Sequence, residues 1–287
     1  MAHLIVNDSG KNEDDNMKAM TYNIRHGLGN DGKVDLDRIA AIIHDQRSDI
    51  VGVQEVDRFW ERSGAVDQAE TVSQLLDMDW CFGANVVDGE TARHGRDREY
   101  GTMILSRYPI VTCTNTPFPV HDGWEPRGFL QASIDIPGVG EIRCINTHLQ
   151  VGKPGVEQQA RIQRREQARI LADVVTASGC PILVMGDFNA QPGDPELAPL
   201  AEQLADAWRK GGNQSPGNTI PTRQDGPGDA RIDAIFVSPG FHTYACSIVV
   251  NARTRLASDH YPVVANFRFK DGARQTAPAR ISGSRNE

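Results

Sequence analysis

Short segments rich in valine and isoleucine recur along most of this chain, and they constrain its fold more than any other feature. Proline, glycine or aspartate often flanks them, a pattern that is typical of β-strands. Several are apolar throughout, which indicates sheets buried beneath other elements. The predicted strands are Lys18–Ile24, Asp49–Val56, Gly101–Leu105, Leu130–Ile136, Glu141–Leu149, Ile182–Asp187, Arg231–Val237 and Pro262–Phe269.

Amphipathic segments between these strands predict a smaller number of helices. A helix over Leu36–Gln46 begins after Asp35, whose side chain can cap it, and its isoleucines share one face. The IPGVG sequence within Asp135–Gly140 predicts a hairpin turn between two strands. The other predicted helices are Gln68–Leu76, Glu157–Ala177 and Pro195–Arg209.

The helix predicted over Glu157–Ala177 is amphipathic, because Ile162, Ala168, Ile170 and Leu171 lie opposite several arginines. We interpret it as a surface helix. A nucleic-acid contact from it is the less favoured alternative, because no aromatic residues are interleaved with its arginines.

Taken together, these elements predict one α/β domain from about residue 18 to residue 270. We predict disordered tails over 1–17 and 271–287, which are polar and lack apolar periodicity. Of the 287 residues, 39% are hydrophobic and 24% are charged, which is ordinary for a soluble globular enzyme. No segment is apolar over the roughly 18 residues that a membrane span needs.

Charge and cysteine usage narrow the function classes further. The formal net charge of −8 argues against tight, nonspecific nucleic-acid binding, which usually needs a basic surface, although it does not exclude a nuclease. The five cysteines lie far apart and indicate neither a disulfide framework nor a zinc site. We interpret them as buried apolar residues in a reducing compartment. Because the N-terminal segment fits no secretory signal, we predict a cytoplasmic protein.

Polar residues recur where the apolar segments end, and each alone has an ordinary explanation such as a helix cap. Together they form a set of carboxylates, amides and imidazoles: Asn23, Glu55, His148, Asp187, Asn189, Asp233, Asp259 and His260. Oxygen ligands suit a hard cation such as Mg²⁺, and imidazoles can transfer protons or polarise a substrate. The absence of thiolate clusters and of an HExxH pair argues against zinc.

The motifs around these residues stand in a characteristic order over about residues 18 to 269. They are YNIRHG, VQEVD, YGTMILSR, EPRG, NTHL, GDFN, RIDAIF and SDHYPVV. This series resembles the endonuclease/exonuclease/phosphatase superfamily. The resemblance implies a DNase I-like four-layer α/β sandwich, in which helices flank two packed sheets. It also implies a phosphoesterase that uses Mg²⁺ or Mn²⁺ and acts on a phosphate ester.

The resemblance assigns roles at the metal and the substrate. Glu55 resembles the family's principal metal-binding carboxylate, and Asn23 and Asp259 resemble supporting residues of that metal site. Arg127 of EPRG is expected to contact phosphate or to brace the acids, with a structural ion pair as the alternative. Tyr100 is a candidate on the substrate-binding side, and Glu99 is a candidate for a supporting role.

The same resemblance assigns the catalytic residues. Asp187 and Asn189 of GDFN resemble the pair that orients the attacking water and the phosphate. His260 resembles the histidine that contacts the phosphate, and Asp233 matches the acid that holds that imidazole. His148 resembles a second histidine of the nuclease-like and sphingomyelinase-like branches. Either Asp187 or His260 can be the general base, and we favour Asp187.

Three functions stay open at this point. The acidic charge favours a phosphodiesterase that acts on a small molecule or a lipid headgroup. A DNase-like nuclease is the second candidate, and a catalytically silent binding module is the third. The sequence departs from the inositol-polyphosphate phosphatase, abasic-site endonuclease and secreted sphingomyelinase branches in their diagnostic segments. We expect no obligate protein partner.

Overall fold

The computed structural model describes residues 16–89, 95–220 and 229–270. Nearly all of the two predicted tails lies outside these ranges, but Asn16 and Met17 are described and begin the first strand. The strands of the described chain pair into two six-stranded sheets. In chain order they are β1 (Asn16–Asn23), β2 (Ile50–Arg58), β3 (Asp79–Asp88), β4 (Arg98–Ser106), β5 (Ile110–Pro117), β6 (Gly128–Ile136), β7 (Gly140–His148), β8 (Ile182–Asp187), β9 (Ala205–Asp206), β10 (Asp233–Val237), β11 (Phe241–Ile248) and β12 (Val263–Phe269).

The two helices that precede β3 begin and end where the sequence predicts. At the first of them Asp35 is the cap, and its side chain accepts a hydrogen bond from the Arg38 backbone N–H. The helices are α1 (Leu36–Gln46), α2 (Gln68–Leu76), α3 (Glu157–Thr176), α4 (Ala198–Ala201), α5 (Ala207–Lys210) and α6 (Ala252–Ala257). Single 3₁₀ turns occupy Arg25–Gly27, Glu61–Ser63 and Pro195–Leu197.

Each sheet has one parallel strand pair at its centre. The first sheet has the order β11-β12-β1-β2-β4-β3, and the second has the order β5-β6-β7-β8-β10-β9. β1 and β2 are parallel in the first sheet, β7 and β8 are parallel in the second, and the other pairs are antiparallel. The carboxyl ends of the strands in each parallel pair therefore meet at one edge of their sheet.

Three apolar clusters hold four structural layers together. The cluster between the sheets includes Ile50, Ile104, Leu130, Met185 and Phe267. The cluster between the first sheet and the helices α1 and α2 includes Met20, Tyr22, Ile39, Ile43, Val53 and Val72. The cluster between the second sheet and α3 includes Ile145, Leu171, Val175, Val184 and Phe188. The prediction of a four-layer α/β sandwich is confirmed.

All eight predicted strands exist, and the four strands that the sequence did not predict (β3, β5, β9 and β11) are the edge strands of the two sheets. Most side chains of β5 are exposed or half-exposed, so its sequence, IVTCTNTP, shows no apolar run after its first residues. Native proteins commonly keep edge strands polar or short, which prevents pairing with other chains. The short helix α6 was also not predicted.

The continuous helix predicted over Pro195–Arg209 is wrong. A 3₁₀ turn and α4 occupy its first half, and β9 then pairs with β10. The side chain of Asp206 accepts a hydrogen bond from the Trp208 backbone N–H and so begins a separate helix, α5. Strand pairing and a new cap therefore override the helical periodicity.

Two predictions about side-chain environment also need correction. Ile162 of α3 is 59% exposed, whereas Arg164 is buried and hydrogen-bonds Glu196, so the predicted apolar face is displaced. Cys144 and Cys246 are buried as predicted, but Cys113 is exposed on the edge strand β5. None of the helices in the described ranges combines the length and the apolar character that a membrane span requires.

Candidate active site

Strand alternation sets the position of the candidate residues. In a strand, every second side chain points to the same face. On β8 the inter-sheet face carries Leu183, Met185 and then Asp187 at the strand's end. By the same alternation Asn23 follows Met17 and Ala19 on β1, His148 follows Ile142 and Cys144 on β7, and Asp233 shares a face with Ile235 on β10. The space between the sheets thus changes from apolar to polar at one edge.

Asp187 is the centre of this polar cluster. Its Oδ2 accepts a hydrogen bond from Asn23 Nδ2 at 3.0 Å and lies 3.4 Å from His148 Nε2 and 3.7 Å from His260 Nε2. Its Oδ1 accepts the backbone N–H of Asn189 at 2.9 Å. Burial and the nearby Asp233 raise the pKa of Asp187 to about 7, although His260 and the hydrogen bonds from Asn189 and Asn23 oppose this shift.

Asp233 and His260 form a hydrogen-bonded pair beside Asp187. His260 Nδ1 lies 2.8 Å from Asp233 Oδ2, and Asp233 is fully buried. Burial disfavours the imidazolium, but the charges of Asp233 and Asp187 outweigh it and raise the pKa of His260 to about 10. His260 is therefore protonated at neutral pH, and its Nε2–H points toward the centre of the site.

A different partner sets the state of His148. Arg127 NH1 lies 2.8 Å from His148 Nδ1, and a guanidinium can only donate, so Nδ1 accepts and the proton is on Nε2. Burial and the Arg127 charge hold the pKa of His148 well below its usual range. Two histidines that face Asp187 are thus in opposite protonation states.

Arg127 and Tyr100 lie behind His148. Arg127 is buried and also pairs with Glu125 Oε1 at 3.0 Å, and its charge acts on the Tyr100 hydroxyl. Burial and the charge of Glu55 raise the pKa of Tyr100 well above its ordinary value. Arg127 therefore holds the His148 imidazole in place. The sequence had left three other roles open for this arginine: a phosphate contact, bracing of the acids and a structural ion pair.

Glu55 reaches the site through an irregularity in β2. The register of β2 with β4 shifts between Gln54 and Val56, and Glu55 has the left-handed backbone angle φ 58°. A bulge of this kind redirects a side chain, and Glu55 Oε1 accepts a hydrogen bond from Asn23 Nδ2 at 3.0 Å. Burial raises the pKa of Glu55, and the Asn23 hydrogen bond only partly opposes it.

Asp259 lies on the outer side of Asn23. The neighbouring Ser258 hydroxyl donates to the Asn23 backbone oxygen at 2.8 Å, and the Asp259 side chain is 37% exposed and 3.6 Å from Arg25 Nε. Asn23 Oδ1 accepts the backbone N–H of Arg25 at 3.0 Å. Asn23 thus presents its amide nitrogen to Glu55 and Asp187, while Glu55 and Asp259 carry the carboxylates next to it.

The donor set fits a hard cation on the Glu55 side. Two carboxylates, Glu55 and Asp259, lie near Asn23 there; burial raises the pKa of Glu55 first and the charge of Asp259 adds to it, and a bound cation would offset both effects. In the described ranges, Asp187, Asp233 and His260 are the acid and histidine group whose ligand atoms lie within 4.8 Å of one another. Because His260 Nδ1 is already hydrogen-bonded to Asp233, that group is better explained as a hydrogen-bonded pair beside an acid.

Two buried amides that the sequence did not single out link the sheets beneath the site. Gln54 Nε2 donates to Asn146 Oδ1 at 2.6 Å, and Asn146 Nδ2 donates to the Val53 and Met103 backbone oxygens. A polar residue inside an otherwise apolar part of a strand was the available signal. Of the remaining candidates, Glu99 pairs with Arg58 at 2.7 Å and lies outside this cluster.

Comparisons with known proteins identify the family and support the fold. A sequence profile described as the Endonuclease/Exonuclease/phosphatase family matches residues 20–260. An endonuclease/exonuclease/phosphatase from Beutenbergia cavernae DSM 12333 is 29% identical with a TM-score of 0.73, over 89% of this chain and 72% of that chain.

Two more distant structures share the fold. A truncated TDP2 from Caenorhabditis elegans is 22% identical with a TM-score of 0.64, over 88% of this chain and 97% of that chain. A mannosyl-6-phosphatase from Bacteroides thetaiotaomicron VPI-5482 is 19% identical with a TM-score of 0.66, over 88% of this chain and 100% of that chain. None of the curated proteins matches the sequence. Because the family profile spans most of the domain, the chain belongs to the endonuclease/exonuclease/phosphatase family.

Proposed function

We propose that this protein hydrolyses a phosphodiester of a small molecule or a lipid headgroup, with a Mg²⁺ or Mn²⁺ ion held by Glu55 and Asp259. Members of the family are hydrolytic phosphoesterases and generally use divalent metal ions. The observation that carries the proposal is the position of Asp187 between a protonated and a neutral histidine. A carboxylate between such groups suits proton transfer at an anionic substrate.

The ion, when bound, supplies positive charge that offsets the charge of the phosphate oxygens. Glu55 holds it as the principal ligand, and Asp259 supports it from the outer side. Asn23 donates to both Glu55 and Asp187, which keeps the two carboxylates at fixed positions relative to each other. Asn23 therefore acts in this proposal as a brace between the metal side and the catalytic side.

Asp187 serves as the general base. Its pKa of about 7 lets it take a proton from water near neutral pH. Asn189 has a left-handed backbone, and its Nδ2 donates to the Leu149 backbone oxygen, which leaves its amide oxygen free to accept from that water. The pair thus orients a nucleophile for in-line attack.

His260 and His148 stabilise the negative charge on the phosphoryl oxygens in the transition state. His260 carries a full charge, is oriented by Asp233 and donates from Nε2 to a phosphoryl oxygen. His148 stays neutral and donates from Nε2, because Arg127 occupies its Nδ1. Arg127 holds this imidazole at its Nδ1, the atom that faces away from Asp187, and Tyr100 lies near Arg127.

A panel of substrates with Mg²⁺ or Mn²⁺ tests the proposal. It contains bis-p-nitrophenyl phosphate, p-nitrophenyl phosphate, plasmid DNA, RNA, sphingomyelin and glycerophosphodiesters. We expect diester hydrolysis that is lost with EDTA and in Asp187→Asn. Turnover of p-nitrophenyl phosphate alone would replace the proposal with a phosphatase, an activity that the similar mannosyl-6-phosphatase is named for. Hydrolysis of none of these compounds would overturn it.

A DNase-like nuclease is the second candidate, and one observation favours it. The segment Arg58-Phe59-Trp60-Glu61-Arg62, directly after the strand that carries Glu55, interleaves arginines with aromatic residues. Such interleaving is typical of surfaces that stack nucleic-acid bases. Nicking of plasmid that stops on addition of EDTA would place this candidate first.

The location that we propose is cytoplasmic. Cys81, Cys113, Cys144, Cys180 and Cys246 are all free, which supports a reducing compartment.

A further inference from the structure

A surface of stacked arginines and rings begins a few residues after Glu55. Its members come from the loop after β2 and from the segment that leads into β4. We call it the stacked rim, and it consists of Arg58, Phe59, Trp60, Arg62, Arg96, Arg98 and Tyr100. The Arg62 guanidinium lies 4.9 Å from the Trp60 ring centroid and 5.3 Å from that of Tyr100. Tyr100 in turn lies close enough to Glu55 and Arg127 for their charges to act on its hydroxyl, so the stack adjoins the active site.

Two arginines of the stacked rim are each paired with two acids of the protein. Arg58 pairs with Asp67 at 2.6 Å and with Glu99 at 2.7 Å, and Arg98 pairs with Glu61 and Asp88. Arg58 lies over Phe59 and Arg98 lies over Trp60. These two arginines build the rim, because their charges are already balanced by acids.

The other two arginines keep free donors. Arg62 uses Nε and NH2 on Asp57, and its NH1 has no hydrogen-bond partner in the described ranges, while the side chain is 46% exposed. Arg96 lies 5.0 Å from the Phe59 ring centroid and has neither a hydrogen bond nor an ion pair within the described chain. The hydrogen bonds to Asp57 raise the pKa of Arg62 most, and the charge of Glu55 adds a smaller effect in the same direction, so this guanidinium lies within electrostatic reach of Glu55.

The backbone of the loop is held in an unusual conformation. Phe59 has φ 61° and Ala65 has φ 56°, which bulky or branched side chains rarely adopt. Hydrogen bonds from Phe59 N to the Val66 oxygen at 2.9 Å and from Ala65 N to the Trp60 oxygen at 2.8 Å fix the loop. Trp60 Nε1 also donates to the Glu99 oxygen at 2.9 Å. The loop is therefore preorganised, and such strain concentrates where a ligand is bound.

We infer that the stacked rim binds the organic group of the substrate, and that this group is a nucleoside. This inference rests on the proposed function and narrows its substrate. A nucleobase offers a flat face for the Arg62 and Arg96 guanidiniums, and its polar edge or a neighbouring phosphate accepts from their free N–H groups. Because acids balance the other two arginines, stacking and short-range hydrogen bonds carry the recognition, and long-range attraction of a polyanion does not.

Two p-nitrophenyl esters with the same leaving group test the inference. One is thymidine 5′-(p-nitrophenyl phosphate), and the other is methyl p-nitrophenyl phosphate. The variants Arg96→Gln and Phe59→Leu change exposed or half-buried side chains outside the catalytic cluster. We expect each to raise KM for the thymidine ester about tenfold with kcat unchanged, since base stacking is typically worth that much, and to leave the methyl ester unaffected.

A matched control is Lys153, which lies in the segment between β7 and α3 and contacts a ring of the loop before Arg127. Lys153 covers Trp124 at 5.1 Å, so Lys153→Gln removes a similar cation from a ring outside the stacked rim. We expect this variant to treat both esters like the wild type. A selective loss on the thymidine ester in Lys153→Gln, or an equal loss on both esters in the rim variants, would contradict the inference. A wild-type protein that hydrolyses neither ester would instead overturn the proposed function together with the inference.

A nucleoside ester can come from a small molecule or from a strand, and inhibition separates the two. Stronger inhibition by a thymidine octanucleotide than by thymidine 5′-monophosphate assigns the rim to a strand, and equal inhibition assigns it to a small ester. In either case Arg96→Gln should weaken the inhibition. Failure of both compounds to inhibit would contradict nucleoside binding.

Discussion

The two sides of the active site differ in how their charges are balanced. On the Asp187 side, both carboxylate oxygens have nearby polar groups from Asn23, His148, His260 and Asn189. On the other side, Glu55 has one side-chain hydrogen bond, from Asn23, and burial still raises its pKa. Burial raises the pKa of both carboxyls, so the sides differ in their partners: polar groups of the protein surround Asp187, whereas in the described ranges only Asn23 hydrogen-bonds the Glu55 carboxylate.

This difference shows how one end of the packed sheets can support both proton transfer and ion binding. The Asp187 side comes from regular strand ends, where alternation places buried polar groups in fixed positions. The Glu55 side depends on a bulge that re-aims a carboxylate toward Asn23. We therefore expect the first side to respond to changes in proton affinity and the second to respond to divalent ions.

Loss of the ion should have the largest effect. EDTA should abolish hydrolysis, and Glu55→Gln should lower kcat/KM at least about 10³-fold, because several kcal/mol of charge stabilisation disappear while the Asn23 hydrogen bond can remain. Thermal unfolding gives an independent readout: Mg²⁺ should raise the Tm of the wild type and leave that of Glu55→Gln unchanged. The control is Glu166→Gln, an exposed carboxylate that pairs with His121, and it should behave like the wild type. Full activity in EDTA would contradict the assignment of a divalent ion to the Glu55 side of the site.

Replacement of His260 should have the second-largest effect on hydrolysis. His260→Gln loses the charged donor that faces Asp187, and we expect kcat to fall about 10²- to 10³-fold. The Mg²⁺-dependent rise in Tm should persist, because this residue belongs to the Asp187 side. Steady-state kinetics with a circular dichroism check on folding would measure both properties. A His260→Gln variant that keeps its kcat but loses the Mg²⁺-dependent rise in Tm would assign His260 to ion binding and not to catalysis.

Replacement of Asp233 should move the pH profile. Hydrolysis needs a deprotonated Asp187 and a protonated His260, so activity should rise through the pKa of Asp187 and fall through that of His260. The Asp233 charge raises both of these pKa values, so Asp233→Asn should shift both limbs of the profile to lower pH. We expect a loss of about 10- to 100-fold at pH 8.5 and a smaller loss at pH 6. A basic limb that stays in place would show that His260 is not the titrating acid.

Much of the fold follows from the sequence, and the division lies between interior and edge strands. The predicted strands are the interior ones, where burial on both faces produces apolar runs. The edge strands β3, β5, β9 and β11 have no such requirement, and their sequences resemble loops. The helix predicted over 195–209 was wrong for a related reason. Part of this segment forms β9, and the strand with which β9 pairs, β10, is remote in sequence.

The site residues follow the same division. Asn23, His148 and Asp187 are the last residues of interior strands and Asp233 is the first residue of another, so the sequence could indicate that they meet. The left-handed backbone of Glu55 and the contact between Arg127 and His148 depend on sheet register, which periodicity does not specify. The family resemblance supplied those residues, but the physical relationship between them required coordinates.

The smallest expected effect concerns the tautomer of His148. In Arg127→Gln the donor that occupies Nδ1 is shortened, so the proton can move to Nδ1 and leave a lone pair on Nε2 facing Asp187 Oδ2, 3.4 Å away. That arrangement is repulsive, and we expect kcat to fall about tenfold, as for other residues that orient a functional side chain. Arg127→Lys keeps a charged donor and should recover part of the loss. The nitrogen-15 shifts of His148 should report protonated Nε2 in the wild type and a mixture of tautomers in Arg127→Gln. An unchanged tautomer with reduced activity would assign Arg127 to direct phosphate contact, since a brace for the imidazole cannot lower kcat without altering the imidazole.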